Sequence, residues 1–158
     1  MNRTAAAAVV RILPAVVVAA GCLPGCSGDG RGLVPVQGQL TSQGEPLGDA
    51  WVSFIPNDGT VGLGAGGQAD AEGRFSLIGS RRGARGCPPG EYRVRISRQC
   101  GPDGSPVPPD AAEPPSGLWE SIPVPYSVHD DTPLTVTVPR RGGKVIVDLP
   151  VPPLAKRP

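Results

Sequence analysis

Glu91-Tyr92-Arg93-Val94-Arg95-Ile96-Ser97-Arg98 alternates apolar and polar side chains without interruption, which puts Tyr92, Val94 and Ile96 on one face of an extended chain and the arginines on the other. An α-helix would scatter these residues around its axis, so the segment reads as a β-strand with one face in a core. Pro88-Pro89-Gly90 turns the chain into it. Working outward, Val34-Pro35-Val36-Gln37-Gly38-Gln39-Leu40-Thr41 alternates in the same way and is followed by the turn Gly44-Glu45-Pro46-Leu47. Ala50-Trp51-Val52-Ser53-Phe54-Ile55-Pro56 has Val52 and Phe54 on one side and Trp51 and Ile55 on the other, which predicts a central strand buried on both faces. The Gly-rich stretch from Gly62 to Ala69 and Arg74-Phe75-Ser76-Leu77-Ile78 flank the turn Asp70-Ala71-Glu72-Gly73 and are expected to pair as a hairpin. Leu134-Thr135-Val136-Thr137-Val138 and Lys144-Val145-Ile146-Val147-Asp148-Leu149, joined by Pro139-Arg140-Arg141-Gly142-Gly143, are expected to form a closing hairpin.

These strands predict a single all-β domain over residues 33–150 of the 158, with Val52, Phe54, Phe75, Leu77, Tyr92, Val94, Ile96, Val136, Val145 and Val147 in its core. The 23 Gly and 21 Pro fall largely into the turns between strands rather than marking a disordered chain. A net charge of +1 provides no field to draw in nucleic acid, and a single His excludes multi-His metal sites and multi-His catalysis. Residues 151–158 read as a disordered tail.

The N-terminus reads as an address. Arg3 and Arg11 precede the apolar stretch Ile12 to Leu23, which is too short to span a bilayer and has the make-up of a secretory signal. It ends in two overlapping Gly-Cys pairs, Gly21-Cys22 and Gly25-Cys26, each a version of the bacterial lipobox. Leu23 three positions before Cys26 favours Cys26 as the lipid attachment site, giving a signal peptide at 1–25 and a flexible tether at 26–32; Cys22, with the small Ala20 before Gly21, is the alternative. An ordinary secretory cleavage with both cysteines incidental is the third reading. An acylated cysteine would hold the domain on a membrane surface without spanning it.

The order Val36-x-Gly38, Gly44-x-Pro46-Leu47, Ala50-x-Val52-x-Phe54-x-Pro56, Asp70-Ala71-x-Gly73-x-Phe75 and Pro89-Gly90-x-Tyr92-x-Val94 resembles the carboxypeptidase regulatory-like, or transthyretin-like, domain. With the lipobox in front and Ile122-Pro123-x-Pro125-Tyr126 before the last strands, the chain is similar to small planctomycete envelope lipoproteins that carry this domain. The resemblance covers about residues 33–150 and implies a seven-stranded Greek-key-like β-sandwich at the cell envelope, and members of the family mostly have no assigned biochemical activity. Transthyretin-like hydrolases of a purine breakdown product end in Tyr-Arg-Gly-Ser and carry several His, whereas this chain ends Ala155-Lys156-Arg157-Pro158 and carries one.

The chain departs from that pattern in a Pro-rich insertion over 101–126, read either as a mobile linker or as a recognition loop with Leu118, Trp119 and Tyr126 as its contacts. Trp51 and Tyr92 are read as core, so a sugar-binding platform would require exposed Trp119 and Tyr126. Three polar groups have competing readings. His129, Asp130 and Asp131 beside Ser127 suggest hydrolysis, but adjacency in sequence does not build a triad and no Gly-x-Ser-x-Gly is present, so a solvated turn is the plainer reading. Asp70 and Glu72 offer too few oxygens for calcium and fit a turn. Arg81, Arg82 and Arg85, near Arg93 and Arg95, suit anionic headgroups or an acidic polymer, or are solvated loop charge.

Cys87 and Cys100 flank the strand 91–98, whose extended length of roughly 23 Å exceeds the ~7 Å Cα separation of a disulfide, so no bridge is expected between them. The functional expectation is a lipid-anchored, non-catalytic binding or structural module without cofactor or metal. Its partners would be the membrane, through the anchor, and an envelope protein or glycan, not nucleic acid.

Overall fold

The computed structural model describes residues 32–80, 84–128 and 132–155. Within them the chain runs through β1 (Val36–Ser42), β2 (Glu45–Pro46), β3 (Ala50–Pro56), β4 (Ala65–Ala69), β5 (Arg74–Ser76), β6 (Ile78–Gly79), β7 (Gly90–Ser97), β8 (Gln99–Cys100), β9 (Trp119–Glu120), the single helical turn α1 (Val124–Ser127), β10 (Thr135–Val138) and β11 (Gly143–Leu149). The fold is all-β.

Alternation explains how these strands assemble. A five-stranded antiparallel sheet has the order β10-β7-β3-β4-β6, and a smaller sheet centres on β1, which pairs with β11 in parallel and with β2 and β5 antiparallel. Val52, Phe54, Tyr92, Val94 and Ile96 leave the inner face of the larger sheet, and Val36, Leu40, Phe75, Val145, Val147 and Leu149 leave that of the smaller one, into one shared core. The Phe54 ring joins the layers, with its centroid 6.1 Å from that of Phe75 and 5.8 Å from that of Tyr92. Of the expected core residues only Val136 is half-buried, packed against the core from β10.

Three strand expectations are corrected. β3 is central in hydrogen bonding, between β7 and β4, yet only one of its faces reaches the core: Val52 and Phe54 are buried, Ile55 is half-buried and Trp51 is 39% exposed. The expected hairpin across Asp70–Gly73 keeps the bond from Asp70 N to the Arg74 carbonyl at the turn and pairs again only at its open end, where Ala65 faces Gly79 and Gly66 faces Ile78. β5 instead peels away to pair Gln37 with Ser76, Gly38 with Phe75 and Gln39 with Arg74. The turn itself forms as read, with Gly73 at φ 77° and its N–H on the Asp70 carbonyl. The closing hairpin is absent: β10 pairs with β7, β11 pairs with β1, and residues 139–142 carry the chain from one sheet to the other. A turn sequence specifies reversal of direction, but the partner of each strand is set by which neighbour completes its ladder over a buried face.

The Pro-rich insertion is tied down at its two ends. β8 pairs with β9, and the Glu120 carboxylate accepts hydrogen bonds from Ser97 Oγ (2.7 Å), Arg98 N (2.8 Å), Gln99 Nε2 (3.1 Å) and Ile122 N (2.9 Å). Part of the expected tail also packs: Ser42 Oγ donates to the Val151 carbonyl and Leu154 N to that of Ser121, whereas residues 156–158 lie outside the described residues.

Candidate functional site

Of the side chains singled out for recognition, Leu118 and Tyr126 are half-buried, and Tyr126 packs against the core. Trp119 does not serve as an exposed contact: it is 6% exposed and its Nε1 donates to the Gly101 carbonyl at 2.7 Å, pinning the end of the insertion to its beginning. An indole whose one polar group is satisfied internally is an anchor of the loop.

The exposed tryptophan is Trp51, which the alternation had placed in the core. It stands on the outer face of the larger sheet, between Ser97 of β7 and Gln68 of β4 in register. Gly66 makes room for it, since a Cβ there would come within 2.7 Å of Trp51 Cζ2 and 3.2 Å of Nε1. On one side of the indole a groove of about 530 Å³ runs over Ser53, Ile55, Gly66, Leu63 and Ile78. A smaller cleft of about 190 Å³ on the other side is walled by Pro108, Pro109, Pro114 and Leu118 of the insertion, which Gln68 Nε2 holds through Asp110 Oδ1 at 2.7 Å. The one sequence signal for this arrangement was the Gly-rich strand opposite Trp51, because a strand without side chains marks a place where something approaches its backbone closely.

A second depression of about 780 Å³ lies on the outer face of the smaller sheet, where Gln37 is in register with Ser76 and Lys144, and Gln39 with Arg74 and Ile146. Its charged groups are largely committed to one another. Arg74 pairs with Asp70 and with Glu72, each at 2.9 Å. The Arg74 amide, and then the Arg74 guanidinium, hold the Asp70 carboxyl below the ordinary carboxylate value. The oxygens considered for calcium are thus spent on an arginine and on the turn.

The remaining candidates divide between accounted-for residues and undescribed ones. Ser127 is buried with its hydroxyl on the Pro123 carbonyl, while His129, Asp130 and Asp131 lie outside the described residues. Cys22, Cys26, Arg81 and Arg82 lie outside them too; Arg85 is exposed, and Arg93 and Arg95 are half-buried on β7. Cys87 and Cys100 are buried free thiols near opposite ends of β7. Burial pushes the Cys87 thiol up, and it likewise pushes up the Tyr92 hydroxyl, which donates to the Pro88 carbonyl. A raised, enclosed thiol is a poor nucleophile. Among the described residues no three His, Cys, Asp or Glu side chains are grouped to hold a metal ion, and no helix is long and apolar enough to cross a membrane.

Comparison with known protein families, with curated proteins and with solved structures returned no match.

Proposed function

We propose that this chain is a lipid-anchored, non-catalytic binding module of the cell envelope: a seven-stranded Greek-key-like β-sandwich of the carboxypeptidase regulatory-like kind, tethered through Cys26 or, alternatively, Cys22. The observation that carries the binding role is Trp51, a large side chain left 39% exposed between two grooves although the same strand buries Val52 and Phe54 completely. Exposing an indole forgoes burial that would favour folding, and tryptophan is enriched at the centres of contact surfaces. The ligand would be an envelope protein or a glycan. The glycan reading is favoured by the neighbours of Trp51, where the Ser53 hydroxyl and the Gln68 amide oxygen lie beside an aromatic surface.

Two measurements test this. Mass spectrometry of the mature N-terminus is expected to show a diacylated peptide beginning at Cys26 or Cys22; an unmodified N-terminus beyond Cys26 overturns the anchor. Crosslinking capture from intact cells and co-sedimentation with insoluble cell-wall glycan are expected to fall at least tenfold in Trp51→Ala. Capture unchanged by that substitution overturns the Trp51 face as the contact surface.

A further inference from the structure

The larger strands run lengthwise, so the two-sheet body has two ends with different chemistry. β1 begins and β3 finishes at the same end, where Val34 bridges to Cys87, Gly143 N bonds to the Pro35 carbonyl and Asn57 N to that of Glu91. The connections 57–64, 84–89 and 139–142 therefore gather there. Val61 and Leu63, at 82% and 73% exposure, project from the first of these beside a hollow of about 580 Å³ formed with Gly32, Leu33, Pro88 and Pro89. Arg85, Arg140 and Arg141 are exposed on the other two connections. Asp58 and Glu91 are the carboxylates described at this end, whereas Glu45, Asp49, Asp70, Glu72 and Asp148 sit toward the other.

We propose that this end, through Val61, Leu63, Arg85, Arg140 and Arg141, docks onto an anionic lipid bilayer. Apolar tips bordered by arginines match the boundary between acyl chains and phosphate headgroups: the tips enter the apolar edge and the guanidiniums pair with phosphates. The route of the chain selects a bilayer over another protein. Gly32 lies at this same end, and Cys26 is six residues earlier, a reach of about 20 Å when extended. An acyl group on Cys26 thus attaches the chain to the membrane nearer this end than the acidic one. The docking rests on the anchor reading, and it shares Leu63 with the groove beside Trp51.

Hydrogen exchange of the full-length acylated protein on vesicles of phosphatidylcholine and phosphatidylglycerol tests it, after flotation and intact mass have established that the chain is acylated. Amides of residues 58–64 and 140–142 are expected to exchange at least threefold more slowly than in detergent, with residues 43–49 unchanged. That protection is expected to shrink on pure phosphatidylcholine and in the Arg85→Glu, Arg140→Glu, Arg141→Glu triple variant. An acylated, floating protein with unchanged exchange at 58–64 overturns the docking alone. Protection that appears only in native envelopes and not on lipid assigns this end to a protein and also overturns it, while an unacylated chain overturns the anchor and the docking together.

Discussion

The Phe75 ring lies across Gly38 of the neighbouring strand, so closely that a Cβ on Gly38 would overlap the ring. Register brings the two residues opposite each other, and the missing side chain is what lets the aromatic ring lie down into the core beside Phe54. Gly38→Ala is therefore expected to destabilise the fold by about 1–3 kcal/mol through overpacking, although its backbone suits any residue. Phe75→Ala is expected to cost about 3–5 kcal/mol. The double variant should be less destabilised than the sum of the two, because the alanine at 38 then has space. Urea unfolding of the four proteins checks this, and strict additivity would mean that the ring does not occupy the glycine site.

The tryptophans exchange the roles that alternation and loop position suggested, and their fluorescence distinguishes them. Trp51→Phe leaves Trp119, which is expected to emit at short wavelength and resist quenching by acrylamide. Trp119→Phe leaves Trp51, expected to emit at longer wavelength and to be quenched readily. The opposite pattern would place Trp51 in the interior.

Glu120 joins the two ends of the Pro-rich insertion through four donors, two of them backbone amides. Glu120→Ala strands Arg98 N and Ile122 N and is expected to cost about 2–4 kcal/mol, since charge-assisted hydrogen bonds are the stronger kind. Exchange of amides in residues 101–118 should rise in the same variant. Glu120→Gln keeps one carbonyl acceptor and is expected to fall between the two. Unaltered exchange in 101–118 would show that Trp119, Asp110 and the pairing of β8 with β9 hold the insertion without Glu120.

Asp148 predicts a pH dependence. The Thr41 hydroxyl (2.5 Å) and then the Gly44 amide (2.9 Å) donate to its Oδ1 and hold its carboxyl below the ordinary value of 3.8. A depressed folded value means that the contribution is complete above the unfolded value and is lost as pH falls through the folded one. The melting temperature of the natural protein is therefore expected to exceed that of Asp148→Asn by a constant margin from neutrality down to about pH 5, and the margin should close below about pH 4. A margin that persists at pH 2 would show that the carboxylate charge is not what the two donors stabilise.

Much of the inner surface was legible in the sequence because a strand's period of two needs no partner to be read. Tyr92, Val94 and Ile96, or Val145 and Val147, face inward whatever lies beside them, and the Asp70–Gly73 turn follows from glycine's access to positive φ. Pairing was not legible in this way. The sequence joins β10 to β11 and β4 to β5, but the tertiary structure sends each pair to different sheets, because ladders are completed by neighbours far along the chain, as Gln37 and Lys144 are. The outer faces were equally closed to sequence reasoning. Trp51 and Ile55 occupy alternate positions just as Val52 and Phe54 do, and apolarity alone cannot say which face has a second layer above it. Only the packing of the two sheets decides that Phe54 meets Phe75 while Trp51 meets solvent, and only the folding of the insertion back onto Gly101 decides that Trp119 is enclosed.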